Sequence, residues 1–230
     1  MKIRFVPPHE ILGKREWIIW GISVAAVSLC AWASPETGIP SLIAALIGVT
    51  ALIFLAVGHF YGQLLTIVFS IFYGVISYFF RYYGEMLTYL GMTLPMAAVS
   101  LVTWLRNPYD SKGTVAIRKK LTAKNITGML LATAAATALF GVLLWLLHTA
   151  QLPVSIISIT TSFLAAYLTA LRSPYYALAY AANDVVLIVL WVLAAREDLS
   201  CLPMVANFCM FLINDLYGFY SWRKRASVSI

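Results

Sequence analysis

N-F-C-M-F-L-I-N-D-L-Y-G-F-Y-S-W, residues Asn207–Trp222, is apolar enough to enter a bilayer, yet it carries Asn207, Asn214 and Asp215. An Asp at the centre of a membrane helix costs about 2.5–3.5 kcal/mol on insertion scales, so such groups face a protein interior or a wet cavity. The stretch reads as one wall of an internal polar site, and the rest of the chain as the bundle that encloses it.

Composition supports a bundle in lipid. The 230 residues are 62% hydrophobic and 11% charged, with mean hydropathy +0.86, whereas soluble domains hold about 25% charge. The charges are segregated, leaving eight nearly charge-free runs at 17–33, 39–57, 62–80, 86–105, 126–147, 153–171, 175–195 and 199–222. Each is close to or above the roughly 17 residues that cross a hydrocarbon core. Only helices and closed barrels satisfy the backbone in lipid, and continuous rather than alternating apolarity selects helices. The expected fold is an all-α polytopic membrane bundle.

The distribution of charge orients the bundle. With eight spans, all Lys and Arg except Arg81 and Arg196 fall on the side of the N-terminus, 14 of the 16. Both termini are therefore expected in the cytoplasm. Residues 1–16 form a cytoplasmic tail and 17–33 an additional N-terminal span. The end of that span, Ala31-Trp32-Ala33, formally resembles a signal-peptide cleavage site; a retained span is expected.

Loop lengths then impose a pattern. Residues 39–105 hold three tightly connected spans, 106–125 the one long and basic loop, 126–147 a single span rich in Ala and Thr, 153–222 three more tight spans, and 223–230 a tail. One intervening helix returns the chain to its starting side, so the two triplets run in the same direction as a parallel repeat. Pro40 and Pro153 each open a triplet, and Trp104 and Trp222 each close one. The basic loop is expected on the cytoplasmic surface against anionic headgroups rather than on nucleic acid.

The seventh and eighth spans hold most of the buried polarity. Asn183 and Asp184 stand at a depth similar to that of Asp215, and Asn207, Asn214 and Tyr217 fall on one helical face. Tyr180 precedes Asp184 by one turn, and Gln63 and Tyr73 extend the polarity into the first triplet. Tyr73 and Tyr180 suit stacking on a planar ring. The seven tryptophans lie near span ends and read as interfacial belt residues, with Trp104, Trp191 and Trp222 of the triplets the exceptions. A carboxylate beside aromatic faces suits a cationic ring. The candidate substrate site is thus Gln63, Tyr73, Trp104, Tyr180, Asn183, Asp184, Trp191, Asn207, Asn214, Asp215 and Tyr217. The competing reading is that these groups hydrogen-bond helices to one another.

No H-E-x-x-H, G-x-S-x-G or Walker pattern occurs, and His9, His59 and His148 lie in the tail or at span ends. No catalytic residue, metal or cofactor is expected. Cys30, Cys201 and Cys209 lack metal-ligand spacing and read as structural thiols. A carrier of a small polar organic solute fits best.

Over residues 39–225 the chain resembles the PnuC transporters of nicotinamide riboside. The resemblance lies in R-Y-Y-G-E-M (Arg81–Met86), L-P-M-A-A-V-S-L-V-T-W-L-R-N (Leu94–Asn107), I-T-T-S-F-L-A-A-Y-L (Ile159–Leu168), N-D-V-V-L-I-V-L-W (Asn183–Trp191) and N-D-L-Y-G-F-Y-S-W (Asn214–Trp222). Ala97-Ala98 stand where many relatives carry Gln, so no ligand contact is carried over there. The resemblance implies a SWEET-like fold of three, one and three helices with an added N-terminal span. It implies facilitated diffusion of the vitamin B3 nucleoside across the inner membrane for NAD biosynthesis, with phosphorylation by a separate cytoplasmic kinase. Nicotinamide riboside, membrane lipids and further copies of the chain, as a homo-oligomer, are the expected partners. A thiamine carrier of the same superfamily and a proton-coupled carrier of a small polar solute are the alternatives.

Overall fold

The computed structural model describes residues 4–33, 39–79, 83–149, 151–197 and 202–228. Its helices are α1 (Lys14–Ala33), α2 (Ile39–Ala56), α3 (Phe60–Phe79), α4 (Tyr83–Leu87), α5 (Leu94–Arg106), α6 (Ala123–Leu146), α7 (Leu152–Ala170), α8 (Tyr175–Glu197) and α9 (Leu202–Val228). A π-helical segment, Thr88–Thr93, joins α4 to α5. Ser34–Gly38, Arg81 and Cys201 lie outside the described residues.

Each apolar run is a helix, and several helices continue into the polar flanks, because backbone hydrogen bonding does not stop where hydrophobicity does. Thus α1 begins at Lys14, and α9 runs past Trp222 through Arg223-Lys224-Arg225. Among the described residues, seven helices are long and apolar enough to cross a membrane, counting Tyr83–Arg106 as one. The 27-residue α9 is not among the seven. It is the helix that carries Asn207, Asn214, Asp215 and the basic tail.

The described ends of the chain meet on one side, hereafter the basic side. Arg4 N–H donates to the Ser111 carbonyl at 2.8 Å, and the Arg225 guanidinium packs against Gly58. Gly58 ends α2 in the left-handed conformation, φ +68°, and a Cβ there would stand 2.3 Å from Arg225 Nη2. Glycine takes this conformation without strain and leaves the Arg225 guanidinium room to pack. Arg172 ends α7 in the same conformation, φ 60°.

The loop after α5 is tied to both of these ends. Val115 N–H donates to the Gly58 carbonyl and Arg118 N–H to the Arg172 carbonyl, each at 2.9 Å. Val115 is buried, and the Asp110 carboxylate accepts from the N–H groups of Lys112 and Thr114. The segment is a fitted strap across the bundle, more ordered than a surface loop. The strap also holds His59. Tyr61 N–H donates to His59 Nδ1, so Nε2 carries the proton and donates to the Lys112 carbonyl at 2.7 Å.

Burial pushes the His59 ring below its ordinary pKa of 6.5, outweighing the Lys112 hydrogen bond and the charge of Asp110. Above pH 6.5 the ring is neutral whether the protein is folded or not, and the stabilisation is fully present. Below that value the unfolded chain takes up a proton that the folded ring resists, so stability falls with acidification. Melting temperatures between pH 7.5 and about 5.5 are expected to decline in the wild type, and to decline less in His59→Asn.

Two tryptophans lock the core on this side. Trp104, at the end of α5, donates its indole N–H to the Thr169 carbonyl of α7 at 3.0 Å. Trp222, on α9, donates to the Leu55 carbonyl of α2, also at 3.0 Å. Each acceptor stands three residues before the left-handed residue that ends its helix. The two rings lie 5.5 Å apart and are essentially fully buried. Leu55, Val115, Met129, Leu168, Tyr176 and Ala177 complete this cluster.

Candidate functional site

Adjacent residues on a helix point about 100° apart, and Asn183 and Asp184 illustrate the consequence on α8. Asn183 turns to α7, where its Oδ1 accepts from Ser158 Oγ and Thr161 Oγ1, each at 2.9 Å. Asp184 turns to α9 and meets Asp215 at hydrogen-bonding range. Their exposures are 4% and 5%, so both are withdrawn from solvent. Asp184 Oδ2 is buried and has no hydrogen-bond partner among the described residues. Such an acceptor is costly unless something supplies a donor.

Aromatic hydroxyls surround this pair. Tyr180 lies within electrostatic reach of Asp184 and Asp215, and Tyr89 within reach of Asp184, Tyr180 and Glu85. Tyr89 stands in the π-helical segment. Such segments are rare and occur disproportionately at functional sites, because the extra residue in the turn re-aims side chains. Gly74 on α3 admits the segment: a Cβ there would be 2.5 Å from Leu90 Cγ.

Across the bundle Tyr89 packs 4.6 Å from Tyr73 and 5.5 Å from Phe69, and Tyr73 lies 5.5 Å from Phe69, ring centre to ring centre. The Tyr73 hydroxyl donates to Glu85 Oε2 at 2.8 Å. The arrangement is an aromatic wall on α3 and the π-helix facing a carboxyl-bearing wall on α8 and α9.

The expected site residues therefore divide. Asp184, Asp215 and Tyr180 come together, and Tyr73 joins them through Tyr89. Asn214 instead faces α1, where its Nδ2 donates to Ser23 Oγ at 2.9 Å and to the Met210 carbonyl at 2.8 Å. Tyr217, on the same face, donates its hydroxyl to Glu16 of α1. With the Trp20 indole donating to Thr50 at 3.1 Å, these contacts staple α1 to α2 and α9. Asn183 bonds to α7, and Trp104 belongs to the basic-side core.

Gln63 is buried in the first turn of α3, near the basic side. Asp184–Asp215 and the 4.6 Å contact of Tyr176 with Trp222 set α8 and α9 antiparallel. That register places Asn207 at the level of half-buried Trp191, about 10 Å further from the basic side. Asn207 Oδ1 is a second buried acceptor with no partner among the described residues.

Phe69, Glu85 and Tyr89 were not anticipated. Glu85 had a legible signal, an acidic residue bordering an apolar run, but its place in a short connection hid that it lies inside a helix. Nothing in the local sequence announces the π-helix that brings Tyr89 inward.

The sequence matches the family described as "Nicotinamide mononucleotide transporter" over residues 38–224. It is 25% identical over 214 residues to the "Nicotinamide riboside transporter PnuC" of Neisseria mucosa, covering 90% of this chain and 80% of that protein. The fold matches the crystal structure of "the Vitamin B3 transporter PnuC" with TM-score 0.74 and 22% identity, covering 95% of this chain and 94% of that one.

Proposed function

We propose that this chain, which belongs to the nicotinamide mononucleotide transporter family, carries nicotinamide riboside across the bacterial inner membrane. That family is one of transporters rather than enzymes. The proposed mode is facilitated diffusion, with both termini cytoplasmic and phosphorylation inside the cell trapping the product. Assembly into a homo-oligomer is part of the proposal and is read from the size of the solubilised particle.

The observation that carries the substrate assignment is the sign of the buried layer. Asp184, Asp215 and Glu85 stand there with Tyr73, Tyr89 and Tyr180, and no Lys or Arg occurs in residues 60–79, 83–105, 175–195 or 202–222. The riboside carries a pyridinium cation and hydroxyl groups. Asp184 and Asp215 at hydrogen-bonding range share a proton and hold at most one negative charge between them. That charge and the aromatic faces attract the ring, and the buried acceptors Asp184 Oδ2 and Asn207 Oδ1 suit the hydroxyls. A mononucleotide adds a phosphate of about −2 charge, which would be desolvated beside carboxylates with no cation at that level. The unphosphorylated nucleoside is favoured, which agrees with the name of the Neisseria mucosa relative.

In the proposed mechanism, α2–α5 and α7–α9 are parallel repeats that rock about this layer. The reciprocal indole contacts of Trp104 and Trp222 support the repeat, and transport requires the basic side to open.

In proteoliposomes, radiolabelled nicotinamide riboside is expected to equilibrate without an ion gradient. Accumulation above equilibrium that requires a proton gradient would overturn uniport. In direct binding to the purified protein, the riboside is expected to bind more tightly than thiamine or the mononucleotide. Tighter binding of either competitor would overturn the substrate assignment.

A further inference from the structure

A cavity of about 540 Å³ lies at the basic end, between the opening turn of α1, the strap and the last turns of α9. Its size is that of a small-molecule site. Of the expected site residues, only Tyr217 lines it, so it is distinct from the Asp184–Asp215 layer.

Its chemistry is opposite to that of the layer. Lys14 and Arg15 enter from one end of the described chain, and Lys224 and Arg225 from the other. Arg225 has the charge of Asp110 within reach. Lys14, Arg15 and Lys224 brought beside it repel one another, and the fold tolerates this only with solvent screening or a counter-anion. The one carboxylate among the lining residues, Glu16, already accepts the Tyr217 hydroxyl. Among the described residues, no ion pair engages Lys14, Arg15 or Lys224; the one found joins Lys112 to Glu10 at 4.0 Å.

Arg225 is held in place, its guanidinium 5.2 Å above the Trp222 ring and against Gly58. Tyr109 and Tyr220 supply flat apolar walls beside the cations. A mere solvated charge run would spread its cations outward; here sequence-distant pairs converge on one concave space with aromatic sides.

We propose that this cavity binds a phosphate-ester anion. Lys14, Arg15, Lys224 and Arg225 take the phosphate oxygens, the two arginines through paired N–H donors. The organic portion lies along Tyr109 and Tyr220. Several cations around one centre favour a phosphate over a single carboxylate, which has fewer oxygens and less charge. Two sources carry this chemistry at the membrane surface: the headgroup of an acidic phospholipid and a soluble phosphate monoester.

The full-length protein in detergent, and a variant carrying Lys14→Gln, Arg15→Gln and Lys224→Gln, are the materials for the test. Native mass spectrometry measures binding of phosphatidylglycerol against phosphatidylcholine, and calorimetry measures glycerol 3-phosphate. At least one phosphate probe is expected to saturate at a single site, to weaken with added salt, and to lose about a hundredfold in affinity in the variant, roughly fivefold per cation. Saturation by phosphatidylglycerol alone assigns the site to lipid, and saturation by glycerol 3-phosphate assigns it to a soluble ester.

Salt dependence in the wild type needs no mutation and is the control against a misfolded variant. Nicotinamide riboside binding, measured in the same samples, is expected to be unchanged, so failure of the transport reading is scored separately. Equal binding of both phosphate probes to wild type and variant, or phosphatidylglycerol binding no tighter than phosphatidylcholine with no binding of glycerol 3-phosphate, would overturn the site.

Discussion

Asp184→Asn is expected to weaken nicotinamide riboside binding by roughly 10- to 100-fold with little change in melting temperature. The substitution keeps the size of the side chain and a hydrogen-bonding group towards Asp215 while replacing the carboxyl whose buried Oδ2 is offered to the ligand. Hydrogen bonds involving charged groups are worth about 1.5–3 kcal/mol, which sets the expected range. Because Asp184 and Asp215 face one another, the effects of Asp184→Asn and Asp215→Asn should not add. Calorimetric titration and thermal melts together decide the matter. A lower melting temperature with unaltered affinity would mean that the pair braces α8 against α9, the role Asn183 plays towards α7.

Trp222→Ala should cost about 3–5 kcal/mol, because a fully buried indole leaves a cavity its neighbours cannot fill. Trp222→Phe is milder. It retains a ring against Trp104 and Tyr176 but leaves the Leu55 carbonyl without its indole donor, a loss of about 1 kcal/mol. Leu55 O also accepts from the Tyr176 hydroxyl at 2.9 Å, which limits the damage. Trp104→Phe should behave alike, since its partner, the Thr169 carbonyl, is equivalently placed. The double alanine variant is expected to fall short of additivity by at least about 0.5 kcal/mol, as the rings touch. Strict additivity in chemical-denaturation curves would show that the two tryptophans stabilise separate halves.

The helices were legible because the signal for a membrane helix is simple. A run of apolar residues longer than the hydrocarbon core has one low-energy backbone. The segregation of Lys and Arg likewise matched what the fold brings together, since Arg4, the strap and Arg225 meet on one side. The make-up of the candidate site was legible in part. Asp184, Asp215 and Tyr180 could be named because buried polarity in a span is expensive wherever it occurs.

Their partners were not legible, because cost says nothing of direction. Asn183 and Asp184 are neighbours in sequence and have different neighbours in space. Asn214 and Tyr217 share a face as their spacing requires, but only packing decided that this face meets Ser23 and Glu16 of α1. The same limit explains Glu85 and Tyr89, whose place depends on a π-helix that packs against Gly74.

The opening stretch, Asn207–Trp222, shows the division. Its sequence alone determined that it is a helix, that it belongs in a membrane bundle, and that its amides and carboxylate must be enclosed. Those follow from hydrophobicity and backbone hydrogen bonding, which are local and additive. Tertiary structure alone decided that one helix serves three surroundings: α1 through Asn214 and Tyr217, the carboxyl layer through Asp215, and the core through Trp222. It also brought Lys224 and Arg225 to Lys14 and Arg15 around one cavity. Direction and convergence are set by how helices rotate and cross, and those angles are fixed by the packing of residues distant in the chain.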